Sequence, residues 1–225
     1  MARCASDVFA KGGDVVGYLT NIILPKGFAR FDEIFGGFSQ FSGEYNIDLL
    51  GGDLSSYNGE NIIIVVSMVA KVQKFMPRFG AKCGDELYLT KKIGCAYLGF
   101  LDAKNGLFAT ENAREYLMPS LIKPANFDGV NASMDISDGL IQDARKMANA
   151  SKLCFEIDYN LLPFSAANAL QHKEMLAFGD DYNVLVSSSK NVENAVKIGV
   201  VKNGVGLELT NFPFEISQAG YDHFA

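Results

Sequence analysis

Three short segments of the chain combine aspartate with glycine or serine, and these residue types could do chemistry together. Residues 49–53, 134–140 and 178–182 read LLGGD, MDISDGL and FGDDY. Glycine lets a backbone bend sharply and approach a ligand closely. Carboxylates supply the hard oxygen ligands that Mg²⁺ prefers beside the oxygens of a substrate phosphate. Together, the three segments predict a divided site for magnesium and phosphate.

Each segment also has an interpretation without a ligand. Aspartate and serine are favoured at helix N-termini, so residues 135–138 could be only the start of a helix. The Gly-Gly-Asp sequence at 51–53 could be only a tight turn. The adjacent acids Asp180 and Asp181 could be solvated loop residues, although two like charges side by side cost stability without compensation. No single segment therefore assigns a function.

The elements that must position these segments follow from the apolar periodicity. In the first part we expect a helix over 7–11 capped by Ser6, a helix over 28–45, and strands over 15–24, 47–50 and 61–72, so that the first aspartate segment ends a strand. In the second part we expect helices over 94–101, 111–117 and 138–150, the last capped by Ser137, and strands over 85–90 and 154–158. The segments 182–187, 192–201 and 206–209 complete an alternating α and β pattern. The composition shifts around residues 75–84, which predicts an N-terminal lobe over 1–76 and a C-terminal α/β lobe over 77–225.

Composition narrows the class of protein. The 225 residues are 48% hydrophobic and 20% charged, as in a globular protein. A net charge of −6 argues against nucleic acid as a partner. No apolar stretch approaches the roughly 18 residues of a membrane span, and no secretory signal is evident. Four cysteines without CxxC spacing predict reduced thiols and a cytoplasmic location. There is no zinc signature and no P-loop motif.

The order of the motifs is more specific than any one of them. Six segments resemble, in sequence, motifs of the thiamine-monophosphate kinase family, whose superfamily includes aminoimidazole ribonucleotide synthetase and selenophosphate synthetase: residues 5–13, 50–53, 78–85, 134–140, 178–182 and 220–224. The DISDGL sequence at 135–140 is the most specific of them. The resemblance implies an α/β (α+β), two-lobed fold of the aminoimidazole ribonucleotide synthetase type with an incomplete N-terminal lobe.

The resemblance also implies an activity and a set of site residues. The activity is that of a transferase, which moves the γ-phosphoryl group of ATP to thiamine monophosphate and forms thiamine diphosphate, without a covalent nucleophile on the protein. The implied Mg²⁺ ligands are Asp7, Asp53, Asp135 and Asp138. The implied ATP contacts are Gly52, Asp53, Arg78 and Ser137, and the implied substrate contacts are Asp180 and Tyr221. A homodimer formed through the sheets of the first lobe is implied as well.

The chain departs from the family pattern in three places. Leu54 replaces a usual threonine, Phe178-Gly179-Asp180 replaces Gly-Gly-Glu, and an acidic GDDA-type segment that the family carries upstream is absent. If the chain were complete, we would expect weak Mg²⁺–ATP binding and impaired catalysis. Three alternatives stay open: another ATP-dependent enzyme of the superfamily, a non-catalytic thiamine phosphate-binding protein, or a truncated product without function.

Overall fold

Two β-sheets of different size form the framework of the protein, and the computed structural model describes residues 1–123, 128–166, 168–217 and 219–221. The α-helices of these residues are α1 (Ala2–Ala10), α2 (Phe31–Tyr45), α3 (Cys95–Lys104), α4 (Glu111–Leu117), α5 (Leu140–Ser151) and α6 (His172–Ala177). The strands are β1 (Gly13–Pro25), β2 (Asp48–Tyr57), β3 (Ile63–Val72), β4 (Glu86–Leu89), β5 (Val130–Ile136), β6 (Cys154–Asp158), β7 (Asn183–Ser188), β8 (Val196–Lys202) and β9 (Gly206–Thr210). The predicted α/β class is confirmed.

The first sheet has three strands in the order β2-β1-β3, with β1 parallel to β2 and antiparallel to β3. Helix α2 covers one of its faces. Tyr18 of β1 is fully buried there, edge-on to Phe38 and Phe41 of α2, and its hydroxyl lies 3.0 Å from Ser42 Oγ. The apolar periodicity of the predicted helix over 28–45 therefore marks the face that packs on this sheet, although the helix begins three residues later.

The opposite face of the first sheet is exposed and apolar. Leu19, Ile63, Val65 and Val69 lie on it, and between 41% and 49% of each is accessible to solvent. Asp53 lies on the same face, paired in register with Asn21, which in turn pairs with Val65. We define these apolar residues as the outer face of the sheet. An apolar face of this kind marks an interaction surface.

The Gly-Gly-Asp sequence does not end a strand as predicted, because β2 continues through it to Tyr57. Both glycines have positive φ angles, 146° at Gly51 and 154° at Gly52. A Cβ atom on Gly52 would lie only 1.8 Å from the carbonyl oxygen of Thr20. Glycine is therefore required where β2 passes close to β1, next to a register shift at Tyr18/Leu19.

The second sheet has six strands in the order β5-β7-β4-β8-β6-β9, and only the β6–β9 pair is parallel. Helix α5 packs on it through fully buried side chains, among them Ile141, Ala144 and Met147. The predicted N-cap at Ser137 is wrong, since α5 begins at Leu140 after Gly139. The periodicity indicated the helix correctly, but the aspartates and Ser137 lie in the loop before it.

Helix α1 connects the two sheets. It begins at Ala2, so Ser6 lies inside the helix and is not its cap. Ala10 is buried in a cluster with residues of β4, β5 and β7, and Ser133 Oγ of β5 donates a hydrogen bond of 2.6 Å to the Ala10 carbonyl. Helix α1 therefore belongs to the first part of the chain in sequence but is fixed against the second sheet. The lobe boundary near residue 77 stays a prediction.

Helices α3 and α4 and the strands β4 and β6 lie close to their predicted positions. Strands β7, β8 and β9 overlap the three segments that were expected only to complete an alternating α and β pattern. Strand β5 and helix α6 were not predicted. Within the described residues, no helix is both long and apolar enough to cross a membrane. The four cysteines are all free thiols.

Candidate functional site

Two of the three aspartate segments meet at the end of β5. The backbone N–H of Asp180 donates to the Ser137 carbonyl, and that of Tyr182 donates to the Ile136 carbonyl, both at 2.9 Å. The N–H of Tyr221 reaches the carbonyl of Asp138, also at 2.9 Å. The loops at 137–139, 178–182 and 220–221 therefore form one surface.

Two glycines allow these loops to approach one another. A Cβ atom on Gly179 would lie 2.2 Å from the Ser137 carbonyl oxygen, and one on Gly220 would lie 2.3 Å from that of Asp138. Such distances exclude any side chain without movement of backbone. Glycine in these motifs is thus explained by the packing of loop on loop.

A pair of carboxylates lies where α1 meets β5. Ser6 Oγ donates a hydrogen bond of 2.9 Å to Asp135 Oδ2, and Asp7 lies beside it with an exposed side chain. Burial, followed by the neighbouring charge of Asp7, raises the pKa of Asp135 to about 6. A buried carboxylate next to a second carboxylate suits a divalent cation, which would compensate both charges.

Two basic residues lie next to this pair. Lys11 Nζ donates to the carbonyl of Ser133, and burial, followed by the charge of Arg78, lowers the pKa of Lys11 to about 8. The charges of Asp135 and Asp7 act on Lys11 in the opposite direction. Arg78 itself is exposed. The arrangement places cationic groups beside the carboxylates, as phosphate binding requires.

The loop that carries Ser137 and Asp138 is held by two residues that sequence reasoning missed. The buried Asp143 accepts hydrogen bonds from the N–H groups of Ser137 and Asp138, at 2.9 and 2.8 Å. Lys146 forms ion pairs with both Asp138 and Asp143. Burial raises the pKa of Asp143. The spacing of Asp143 and Lys146 along α5 was the only sequence signal for this network.

A cleft of about 590 Å³ opens beside these loops. Five of its described lining residues are aromatic. The Phe178 ring contacts three other rings, with centroids 5.3 Å from Phe100, 5.6 Å from Tyr97 and 6.3 Å from Tyr116. The described lining residues are Arg3, Phe100, Tyr116, Ser137, Asp138, Ala177, Phe178, Gly179, Asp180, Tyr182 and Tyr221. A flat, cationic ring would find both aromatic faces and carboxylates here.

Asp180 lies at the wall of this cleft in a constrained backbone. Its φ angle is 66° and that of Tyr182 is 46°, both in the left-handed region that non-glycine residues seldom adopt. Asp180 Oδ1 accepts a hydrogen bond of 2.9 Å from the Tyr182 hydroxyl and lies 3.0 Å from Nη1 of Arg3. Backbone strain of this kind concentrates at functional sites.

Asp181 has a different role from its neighbour. It is buried and accepts hydrogen bonds from the N–H groups of Gly94, at 2.8 Å, and Ala96, at 3.1 Å. Burial raises the pKa of Asp181 to about 6. This carboxylate satisfies the start of α3 instead of facing a ligand. The Asp180-Asp181 pair is therefore neither a pair of solvated loop residues nor a pair of residues that both contact a ligand.

The four aspartates named as Mg²⁺ ligands are not gathered into one group. Asp7 and Asp135 are adjacent, Asp138 lines the cleft beside them, and Asp53 lies on the outer face of the first sheet, where its carboxylate accepts from Ser55. Among the residues the structure describes, no three carboxylate, histidine or cysteine side chains are placed to hold one metal ion. Gly52 lies with Asp53, away from the cleft lining.

The two sheets and the helices packed on them define an α/β protein, and comparison identifies its family. The chain belongs to the AIR synthase related protein family, whose N-terminal domain matches residues 1–72 and whose C-terminal domain matches residues 82–208. Curated relatives of the chain include thiamine-monophosphate kinases, which confirms the resemblance drawn from the motifs.

The relatives are distant and longer than this chain. The thiamine-monophosphate kinase of Leptospira interrogans is 27% identical over 201 residues, covering 80% of this chain and 65% of its own length. That of Aquifex aeolicus is 28% identical over 250 residues, with coverage of 97% and 78%. That of Escherichia coli K12 is 28% identical over 258 residues, with coverage of 98% and 77%.

Solved structures also superpose on this chain. AaThiL complexed with AMPPCP and TMP superposes with a TM-score of 0.83 at 26% identity, covering 97% of this chain and 77% of that one. The hydrogenase maturation protein HypE in complex with ATP shares the fold, with a TM-score of 0.75, 14% identity and coverage of 93% and 75%.

Proposed function

We propose that the protein transfers the γ-phosphoryl group of ATP to the phosphate of thiamine monophosphate, forming thiamine diphosphate and ADP. The observation that carries the proposal is the placement of the Asp7–Asp135 carboxylate pair beside an aromatic, acidic cleft, in the motif order of thiamine-monophosphate kinases. Two anionic groups must meet in this reaction. Charge compensation and alignment are therefore what the protein has to supply.

Asp7 and Asp135 would hold Mg²⁺, because their hard oxygen donors are adjacent and because burial, followed by the charge of Asp7, raises the pKa of Asp135. Held there, Mg²⁺ would supply positive charge that neutralises the phosphates of the nucleotide. Asp138 would join them after release from Lys146. Within a single chain, Asp53 lies apart from these three aspartates. Its location on the outer face suggests a role next to a second subunit.

The ATP phosphates would lie near Arg78 and Ser137, with Lys11 close by. The charge of Arg78 contributes to the lowered pKa of Lys11, and Arg78 is exposed and able to reach a ligand. Gly52 remains a proposed nucleotide contact, although its need for glycine is already explained by the contact of β2 with Thr20.

The acceptor would occupy the aromatic cleft. Asp180 and Tyr221 would contact thiamine phosphate, with the rings of Phe100, Tyr116 and Phe178 against its aromatic cation. A terminal oxygen of the acceptor phosphate attacks the γ-phosphorus of ATP, the bond from that phosphorus to the β,γ-bridging oxygen breaks, and ADP leaves with the electron pair. No side chain forms a covalent bond.

The outer face supports a homodimer, because a contiguous apolar sheet face is the kind of surface that a second copy covers. A cytoplasmic location is proposed with it, supported by the four free cysteines.

The function is tested by following formation of thiamine diphosphate from ATP and thiamine monophosphate by chromatography, with Mg²⁺ and with excess chelator. We expect product only with Mg²⁺, and none from Asp135→Asn. Calorimetric titration of thiamine monophosphate accompanies the assay. Binding without turnover would favour the non-catalytic binding protein, and neither binding nor turnover would contradict the proposal.

A further inference from the structure

Arg3 occupies a position in the cleft that the proposed function does not yet use. It lies on α1, and its guanidinium carbon is 5.6 Å from the centroid of the Tyr182 ring. Its Nη1 atom lies 3.0 Å from Asp180 Oδ1, and 49% of its side chain is exposed. The guanidinium is thus held at the cleft wall with donors still open to the cleft, since one carboxylate oxygen cannot engage all five.

The charge balance of the cleft makes Arg3 important. Among the described residues that line the cleft, Arg3 is the only basic one, and Asp138 and Asp180 are both acidic. Lys146, the nearest other cation to Asp138, is already paired with Asp138 and Asp143. A phosphate ester that entered this cleft would meet a net negative wall unless Arg3 received it.

The helix places Arg3 where the phosphate must lie. Arg3 and Asp7 are four positions apart on α1, so they share one face about 6 Å apart along the axis. Asp7 belongs to the proposed metal site, and Arg3 belongs to the cleft. An anion held by Arg3 would therefore lie between the acceptor's aromatic part and the carboxylate pair.

The backbone of Arg3 is well anchored, so only its side chain has to move. Ser6 bonds to Asp135, and the Ala10 carbonyl accepts from Ser133, which fixes α1 on the second sheet. The Arg3–Asp180 pair is half exposed, and such pairs are weak in water. Replacing the Asp180 oxygen by phosphate oxygens as the partner of Arg3 therefore costs little free energy. Arginine suits phosphate because its guanidinium offers parallel hydrogen-bond donors.

We propose that Arg3 binds the acceptor phosphate and gives the cleft its preference for the phosphate ester over the free alcohol. This inference rests on the proposed function. Arg3 is a positioning and specificity-determining residue here, and Asp180, released when Arg3 turns to the phosphate, is left to face the cationic part of the ligand.

The test is calorimetric titration of thiamine monophosphate and of thiamine, in the same Mg²⁺ buffer, into wild type, Arg3→Ala, Arg3→Lys and the control Arg30→Ala. Arg30 is an exposed arginine whose ion pair with Glu33 lies on α2, away from the cleft. We expect Arg3→Ala to weaken thiamine monophosphate by about 10- to 100-fold, the range for a lost charge-assisted bond. Thiamine affinity should stay the same or rise, because Asp180 is freed. The affinity of Arg3→Lys for thiamine monophosphate should lie between those of wild type and Arg3→Ala, and the affinity of Arg30→Ala should match that of wild type.

Equal weakening of both ligands by Arg3→Ala would overturn the inference, because a structural role alone would affect both. Unchanged affinity for thiamine monophosphate would overturn it as well. If wild-type protein binds thiamine monophosphate, either of these outcomes contradicts the Arg3 assignment alone and leaves the proposed function standing. Wild-type protein that binds neither ligand contradicts the proposed function itself, and the Arg3 assignment with it.

Discussion

Ser6 and Asp135 are 129 positions apart in the chain, and Ser6 Oγ donates a hydrogen bond of 2.9 Å to Asp135 Oδ2. This bond ties α1 to the end of β5 and sets Asp7 beside Asp135. Burial and the charge of Asp7 together raise the pKa of Asp135 to about 6. The protein therefore holds an unfavourable pair of carboxylates in place, which is useful only when a cation or a proton compensates it.

Replacement of Asp135 by asparagine should stabilise the metal-free protein and abolish its response to magnesium. The amide oxygen still accepts from Ser6, while the buried charge is removed. We expect about 1 to 2 kcal/mol of added stability at pH 7.5 without metal, below the roughly 3 kcal/mol that the full pKa difference represents. Thermal unfolding with and without Mg²⁺ measures both effects.

Asp48→Asn, which changes an exposed acid, is the control. A Mg²⁺-dependent rise in Tm that survives Asp135→Asn would contradict the metal assignment.

The sequence predicts the second half of the site better than the first. The segment at 134–140 contains the end of β5, and the segment at 178–182 leads directly into β7. The two segments meet because β5 and β7 are neighbours in the same sheet. Asp53 does not join them. Its glycines suggested a turn, but a glycine pair also serves a strand that passes close to its neighbour, and only the contact with Thr20 separates the two interpretations.

Residues whose roles depend on distant contacts were not predictable. Arg3 precedes the Ser6-Asp7 motif and resembles an ordinary surface residue of a helix, since Asp180 and Tyr182 are nowhere near it in sequence. Asp143 looked like one more polar residue on α5, yet it is fully buried and organises the loop at 137–139. Local pattern carries no information on such pairings.

Two glycine substitutions should have opposite effects on stability. Gly52→Ala puts a Cβ atom 1.8 Å from the Thr20 carbonyl oxygen at a φ of 154°, so we expect a loss of more than about 3 kcal/mol. Gly36 lies in α2, and a Cβ atom added to it would meet nothing within 4 Å, so Gly36→Ala should stabilise by about 0.5 to 1 kcal/mol. Urea unfolding measures both. If Gly52 served only for close approach of nucleotide, Gly52→Ala would unfold like wild type.

Asp181 should make the fold less stable as pH rises towards neutrality. Its pKa is raised from 3.8 to about 6 by burial, so the folded protein binds the proton more tightly than the unfolded chain. The contribution to stability is complete below pH 3.8 and is lost as pH rises through about 6. Between pH 4.5 and 7 the loss amounts to about 2 kcal/mol.

Comparison of wild type with Asp181→Asn isolates this effect. The free energy of unfolding of wild type, relative to that of the variant, should fall by the stated amount over the interval, whatever constant cost the amide adds at Gly94 and Ala96. Asp48→Asn again serves as the matched control. A difference between wild type and Asp181→Asn that stays constant with pH would show that the carboxyl is not protonated in this range.

The outer face of the first sheet should mediate dimerisation. Val65 is 49% exposed near the centre of this face, next to Asn21 and within one register step of Asp53. In a symmetric dimer, Val65→Glu places a charge in the apolar interface twice, so we expect its dissociation constant to rise by at least about 100-fold. Sedimentation velocity over a concentration series measures this constant.

Val205→Glu, at a position 72% exposed in the second part of the chain, is the control and should sediment like wild type. Circular dichroism of Val65→Glu should match wild type, because the side chain is already open to solvent in the single chain. A wild-type monomer at tens of micromolar, or a dimer that Val65→Glu leaves intact, would show that the outer face does not mediate dimerisation.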